Sequence, residues 1–223
     1  MGRMRETVEA VLWDVGGVFV PSPFSHMRSF GPELGVDGDR LIELVFGPYH
    51  EDTDHPWHRL ERGEATFDDT NTALAIAAAA EGVELDPVAL LMRMGEGGTA
   101  RLVRDEVVAA AQRVKADGYR TAIITNNIRE FREGWGSLFD VDSVAEFVID
   151  SSEVGLRKPD PAIFHLTLER LGGIAPERAV FLDDAPGNIV AAAALGIHAI
   201  LVEDDPTSAL AELIDLLGLA ADG

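Results

Sequence analysis

Short apolar runs alternate with amphipathic stretches along much of the chain. Five runs of aliphatic and β-branched residues end at polar residues, which predicts buried strands at 8–13, 120–125, 146–150, 179–182 and 197–202. Helical patterns separate the later runs, at 101–116, 161–172, 187–195 and 207–217. Because strands that alternate with helices form βαβ units, the pattern predicts an α/β fold with a Rossmann-like parallel sheet and helices on both faces.

One long stretch, residues 22–98, departs from this alternation. It contains no strand pattern, and its helical patterns lie at 40–46, 58–62, 67–80 and 87–94. The stretch is too long to be a loop. We therefore expect a small all-helical cap domain at 22–98, inserted after the first strand. The remaining residues, 1–21 and 99–223, are expected to form the core, with the glycines of 95–98 as a hinge.

Composition narrows the possible partners. The chain carries 39 acidic and 18 basic side chains, a formal charge of −21, and has no cysteine. Such an acidic surface repels nucleic-acid phosphates and anionic lipids, so neither partner is expected. The absence of cysteine rules out a thiol nucleophile, a thiolate metal site and a disulfide framework. With no spanning apolar run and no secretory signal in view, a cytoplasmic location is expected.

Polar side chains that could act in catalysis or ligand binding lie where the predicted strands end. They are Asp14 after the first strand, Thr125 and Asn126 after the second, Asp183 and Asp184 after the fourth, and Lys158 within 155–159. The carboxyl ends of parallel strands meet at one edge of the sheet, where ligands bind. Three carboxylates there repel one another unless a cation neutralises them, and hard oxygen ligands suit Mg²⁺. The set indicates phosphoryl transfer.

Four segments, in chain order, resemble the four motifs of the haloacid dehalogenase (HAD) superfamily of aspartate-nucleophile phosphohydrolases. They are LWDVGGV at 12–18, ITNN at 124–127, GLRKP at 155–159 and LDDAPGN at 182–188. The helical insert is similar to the cap of the superfamily's first subclass. RGE at 62–64, together with the last two motifs, most resembles the sugar-phosphate phosphatases and the N-terminal phosphatase domain of soluble epoxide hydrolases.

The resemblance implies a role for each motif residue. Asp14 is expected to attack phosphorus and form an aspartyl-phosphate, while Thr125 and the Asn126 amide hold phosphoryl oxygens and Lys158 neutralises charge. The implied Mg²⁺ ligands are Asp14, Asp184 and the backbone carbonyl of Gly16, with Asp183 bound directly or through water. Backbone amides of Val15 and Gly16 are further candidates to contact the phosphate, with Arg157 or Arg129 adding positive charge at the rim. The expected substrate is a small phosphate ester.

Gly16 departs from the family pattern, which places a second Asp there as general acid and base. Three explanations are open. Another acid takes over, with candidates in His26, His58 and the segment 50–55, which is otherwise a solvated loop or a metal site. The substrate has a good leaving group, or the chain binds without turnover.

A further alternative is a dehalogenase that displaces halide with the same Asp and no metal. Paired Asp183 and Asp184 favour phosphoryl transfer over that reaction. The physiological substrate and the choice between monomer and homodimer stay open.

Overall fold

A computed structural model describes residues 7–96 and 103–219 of the chain, without the side chains of residues 94–96, 133 and 135. The strands are β1 (Ala10–Trp13), β2 (Arg120–Thr125), β3 (Phe147–Asp150), β4 (Ala179–Asp183) and β5 (His198–Leu201). The helices are α1 (Pro23–Ser29), α2 (Gly38–Phe46), α3 (Pro56–Glu61), α4 (Phe67–Ala80), α5 (Pro87–Glu96), α6 (Asp105–Ala116), α7 (Arg132–Gly136), α8 (Val141–Val144), α9 (Ser151–Val154), α10 (Pro161–Arg170), α11 (Pro186–Ala194) and α12 (Thr207–Leu217). The predicted boundary between residues 98 and 99 lies outside the described ranges.

The five strands form one parallel sheet in the order β3-β2-β1-β4-β5. This confirms the predicted α/β class and all five predicted strands; β2 has the predicted bounds, and the ends of the others differ by at most two residues. Because β1 lies between β2 and β4, the carboxyl ends of these three strands are side by side. That order brings the motif residues of three distant segments together.

Side chains along β1 alternate between two hydrophobic cores, as the period of a strand requires. Val11 and Trp13 belong to one core, on the side of the sheet covered by α6 and α12. Leu12 belongs to the other, with Phe164 of α10 and Phe181 of β4. All four residues of β1 are fully buried, which explains why the strand is an uninterrupted apolar run.

Helices α1 to α5 surround a third hydrophobic cluster, to which Ile128 after β2 also belongs, and we call residues 23–96 the helical insert. Its buried residues include Met27, Leu41, Val45, Trp57 and Leu74. Helix α1 was not predicted from the sequence. Its apolar pattern is short, and its start is marked by Ser22 as N-cap followed by Pro23 in the first turn.

No helix in the described part of the chain is both long and apolar enough to cross a membrane.

Candidate active site

Asp14 lies at the centre of the sheet's carboxyl edge, one residue beyond β1. Its backbone N–H donates to the Leu182 carbonyl at 2.9 Å, which ties the turn after β1 to β4. The side chain is 8% exposed and lines a small cavity of about 60 Å³. Other walls of this cavity are formed by Gly16, Thr125, Asn126, Lys158 and Asp184. The structure therefore places these predicted site residues around one cavity.

Lys158 connects two of the three clustered carboxylates. Its Nζ lies 2.7 Å from Asp14 Oδ1 and 2.6 Å from Asp183 Oδ2, and the side chain is 1% exposed. Both partners raise the pKa of the ammonium against the opposing effect of burial, so Lys158 stays protonated. A fully buried lysine thus holds its charge at the edge of the sheet.

Asp14, Asp183 and Asp184 form the group of carboxylates that the sequence predicted. One oxygen from each lies within 4.8 Å of the others. Burial, followed by the charges of Asp183 and Asp184, raises the pKa of Asp14 well above its ordinary value despite the opposing effect of Lys158. Burial and the neighbouring Asp183 raise the pKa of Asp184 to about 7. Three carboxylates around one ammonium leave an excess of negative charge that favours a bound cation.

Asn188, in the first turn of α11, lies beside the cluster, and sequence reasoning gave its side chain no role in the site. Its Nδ2 donates to Asp183 at 3.0 and 3.1 Å, while Asp183 Oδ1 also accepts the Ala185 N–H at 2.7 Å. Asn188 lines the small cavity, and its buried Oδ1 has no hydrogen-bond partner among the described residues. An orphaned oxygen beside three carboxylates fits the donor set of a hard divalent cation. The motif LDDAPGN contained the signal, since Asn188 lies four residues after Asp184, in the first turn of the helix that follows.

Asn126 and Val15 have contacts that narrow their predicted roles. The Asn126 side chain accepts from Lys158 N at 2.8 Å and donates to Lys158 O at 2.9 Å. It therefore fixes the lysine segment, which leaves the backbone amide as the group available for a phosphoryl oxygen. The Val15 side chain packs in the core, so its backbone amide is the group that the prediction concerns.

Two glycines permit close approach at the site. Gly17 has a positive φ of 72°, and a Cβ there would collide with the Asp184 side chain. Gly187 lies beneath the helical insert, where a Cβ would meet the Cα of His50 at 2.6 Å. Gly16 differs from both, because an added Cβ would meet only Pro23 Cδ, at 3.5 Å. Space alone does not explain the glycine at this position.

Arg157 and Arg129 do not add charge at the rim as predicted. Arg157 is fully buried against the helical insert, with Nε 2.7 Å from Glu61 Oε2. Arg129 donates to the Gly63 carbonyl at 3.4 Å. Both arginines instead contact the insert, Arg157 through Glu61 and Arg129 through the Gly63 carbonyl.

The histidines considered as substitute acids lie in different surroundings. His55 is the N-cap of α3, accepting the Trp57 N–H at 3.2 Å, and His58 is buried inside the insert. His26 packs against Phe30, with ring centroids 4.9 Å apart. His50 lines a cleft of about 520 Å³ between the insert and the core, to which Asp184 also contributes. In the described residues, the carboxylate cluster is the group of three acidic or histidine side chains close enough to share a metal, and no residue of the segment 50–55 belongs to it.

A family model for haloacid dehalogenase-like hydrolases matches residues 8–196. The chain therefore belongs to the HAD-like hydrolase family, and the resemblance noted in the sequence is confirmed. The protein is therefore a hydrolase of that family.

The names of individual relatives describe different activities. The chain is 34% identical over 216 residues to rat bifunctional epoxide hydrolase 2, covering 92% of this chain and 38% of the relative. It is 24% identical over 220 residues to the GMP/IMP nucleotidase YrfG of Escherichia coli, covering 93% and 88%. The chain spans less than two fifths of the length of the mammalian relatives that it matches.

Among solved structures, a HAD-like family hydrolase from Porphyromonas gingivalis superposes with a TM-score of 0.64 and 21% identity. The match covers 94% of this chain and 98% of that one. At this identity the likeness establishes the fold, in agreement with the observed sheet.

Proposed function

We propose that this chain is a Mg²⁺-dependent phosphatase that hydrolyses a small phosphate monoester through an aspartyl-phosphate on Asp14. The observation that carries the proposal is the buried cluster of three carboxylates around Lys158, with Thr125 and Asn126 lining the same cavity. A carboxylate nucleophile next to fixed positive charge suits phosphoryl transfer, which depends mainly on positioning and charge neutralisation. The nucleotidase relative supports the same class of reaction.

In the proposed reaction, an Asp14 carboxylate oxygen attacks phosphorus and the ester oxygen leaves with its electron pair. Lys158 holds Asp14 in place and offsets the charge of the phosphoryl group, while Thr125 and the Asn126 backbone amide contact its oxygens. Water then attacks the phosphorus of the aspartyl-phosphate, which releases inorganic phosphate and restores Asp14. Asp14, Asp184 and the Gly16 carbonyl would hold Mg²⁺, with Asp183 directly or through water; the bound ion supplies charge neutralisation.

The helical insert is proposed to act as a cap over this chemistry. The cleft between insert and core shares Phe24, Tyr49 and Asp184 with the small cavity at Asp14, so the two spaces adjoin. The leaving group would lie in the cleft, where the insert limits its size and excludes water. The cap that the sequence predicted at 22–98 thus stays a proposal, which concerns the described part of that range, residues 22–96.

The acidic pair favours this reaction over dehalogenation. A halide displacement by Asp14 needs no cation, whereas three carboxylates within 4.8 Å are costly without one. The proposed function gives both acids of the pair a part in holding the cation, in addition to the ion pair that Asp183 makes with Lys158.

The test is hydrolysis of p-nitrophenyl phosphate with Mg²⁺, with EDTA, and by Asp14→Asn. Turnover is expected with Mg²⁺, and we expect Asp14→Asn to lower kcat by roughly 10⁴-fold or more, because it removes the nucleophile. Asp68→Asn, an equal change on the exposed face of α4, is the matched control and should leave kcat unchanged. Retained turnover in Asp14→Asn contradicts the proposal. Chloride release from 2-chloropropionate in EDTA, without phosphate release, would favour the dehalogenase.

A further inference from the structure

Glu61 is a buried carboxylate with an unusually complete set of partners. It ends α3 and is 2% exposed. Its Oε1 accepts from the Tyr49 hydroxyl at 2.8 Å and from Trp57 Nε1 at 2.9 Å, and its Oε2 accepts from Arg157 Nε at 2.7 Å. Two of these donors belong to the helical insert and the third belongs to the core. Glu61 therefore connects the helical insert to the core.

The side chain of Arg157, a core residue, contacts residues of the helical insert. It is fully buried, and its Nη1 donates to the Glu51 carbonyl at 3.0 Å and lies 3.5 Å from Asp52 Oδ1. Its guanidinium also lies over the Tyr49 ring, 5.1 Å from the centroid. In the described part of the chain, every side-chain partner of Arg157 is an insert residue. A core arginine that binds only the insert is well suited to hold the insert in place.

Arg157 and Glu61 are each connected to the candidate site, Arg157 through the chain and Glu61 through Tyr49. Arg157 is the residue before Lys158, whose backbone is fixed on both sides by the Asn126 side chain. Tyr49, held by Glu61, lines both the cavity at Asp14 and the adjoining cleft. Glu61 therefore ties the tyrosine that lines the cavity at Asp14 to Arg157, in the segment that carries Lys158.

We infer that Glu61 is a positioning residue: by binding Arg157 and Tyr49 together, it holds the insert closed over Asp14 and sets the wall of the cavity there. The inference rests on the proposed function for its kinetic readout. A buried ion pair alone is weak evidence for stability, since desolvation offsets much of the attraction. The inferred role of the Glu61–Arg157 pair is instead to fix the positions of Tyr49 and of the segment before Lys158.

The experiment compares Glu61→Gln with Glu81→Gln. Both changes neutralise one member of a Glu–Arg pair in the insert, but Glu81 is exposed and its arginine, Arg40, also belongs to the insert. Steady-state kcat and KM for p-nitrophenyl phosphate are measured with Mg²⁺. Hydrogen exchange is followed at the amides of Glu51 and Thr53, which are both hydrogen-bonded near Arg157.

We expect Glu61→Gln to lower kcat/KM roughly 10- to 100-fold, as misplacement of groups at a reacting centre does. Exchange at the two amides should become faster, while Glu81→Gln should stay within twofold of the parent in both measurements. If Glu61→Gln folds with lower stability but with kinetic constants and exchange rates like those of the parent, Glu61 is merely structural and the inference is overturned.

Tyr49→Phe provides a milder variant in case Glu61→Gln does not fold. It removes the hydroxyl that donates to Glu61 and keeps the ring that walls the cavity. Lower kcat/KM with faster exchange supports the inference, and parent-like values overturn it. If the parent chain itself is inactive on p-nitrophenyl phosphate, the proposed function fails. The exchange measurements then still decide whether Glu61 and Tyr49 hold the insert closed.

Discussion

Lys158 and Arg157 are neighbours in sequence and both are buried, yet they belong to opposite kinds of ionic cluster. Lys158 faces three carboxylates at the edge of the sheet, and the group has an excess of negative charge. Arg157 faces the helical insert, where Glu61 matches its charge and accepts from three donors. The first cluster has more negative than positive charge, whereas in the second the Glu61 carboxylate accepts hydrogen bonds from Tyr49, Trp57 and Arg157.

The difference in charge balance suggests that the two clusters serve different purposes, the Lys158 cluster in the reaction and the Arg157 cluster in positioning the insert. A buried group of like charges is costly, so three clustered carboxylates favour a bound cation. A buried pair of matched charges needs no ligand, and its geometry fixes the parts that it joins. The segment 155–159 carries one residue of each kind, which links the reacting centre to the insert above it.

After the loss of Asp14 itself, the largest expected effect concerns the acid that the family pattern places at Gly16. Without a general acid, turnover should fall steeply as the leaving group becomes more basic, so aryl phosphates should exceed alkyl phosphates by roughly 10²- to 10⁴-fold. Gly16→Asp should raise alkyl phosphate turnover, because an added Cβ meets only Pro23 Cδ at 3.5 Å. Gly16→Asn is the matched control, similar in shape but unable to donate a titrating proton.

Equal rates on aryl and alkyl phosphates would show that another acid serves the leaving group. His50 is then the first residue to test, since it lines the cleft beside Asp184. His50→Gln would restore the steep dependence on the leaving group if this histidine supplies the proton.

Cation binding should stabilise the unbalanced cluster even without turnover. Mg²⁺ at one hundred times its dissociation constant is expected to raise the free energy of unfolding by about 2.7 kcal/mol, because it binds the folded state. Differential scanning fluorimetry with Mg²⁺ and with EDTA measures the shift. Asp184→Asn should reduce it, and Glu81→Gln should leave it intact. An Mg²⁺ effect equal in parent and Asp184→Asn would contradict the assigned ligand set.

Acid should destabilise the insert through His58. Burial, then the charge of Arg157, lowers the pKa of His58 to about 3, while the unfolded chain protonates this histidine near its ordinary value of 6.5. Stability from neutral His58 is therefore present above pH 6.5 and is lost as the pH falls towards 3. We expect a loss of about 2 kcal/mol between pH 7 and 5. Urea unfolding of the parent and of His58→Gln tests this, and parallel pH profiles would refute it.

The smallest expected effect is selection by charge in the cleft. Four carboxylates besides Asp184 line it, namely those of Asp39, Glu43, Glu203 and Asp204. The cleft's Arg28 is bound to Asp39 at 2.7 Å. Because exposed charges are screened, we expect KM to differ by a few-fold among three two-carbon phosphates, lowest for phosphoethanolamine, then ethyl phosphate, and highest for phosphoglycolate. High salt should abolish the order; the reverse order would show that the cleft binds a second anion.

The sequence predicted the sheet and the polar edge well because both follow from local patterns. Apolar strands end at Asp14, Thr125 and Asp183, and parallel pairing places those ends together. The roles of Arg157 and Glu61 could not be predicted in this way. Their contact joins residues far apart in the chain, and its formation depends on how the insert sits on the core. Glu61 was overlooked because a glutamate at the end of a helix is usually solvated.

The central claim is that Asp14 becomes phosphorylated during turnover. The most direct measurement is rapid acid quench of the enzyme mixed with p-nitrophenyl phosphate and Mg²⁺, followed by borohydride reduction and peptide mass spectrometry. An aspartyl-phosphate at position 14 is reduced to homoserine, and we predict homoserine at that position in the parent and none in Asp14→Asn. Steady turnover with an unmodified Asp14 at every quench time would contradict the account.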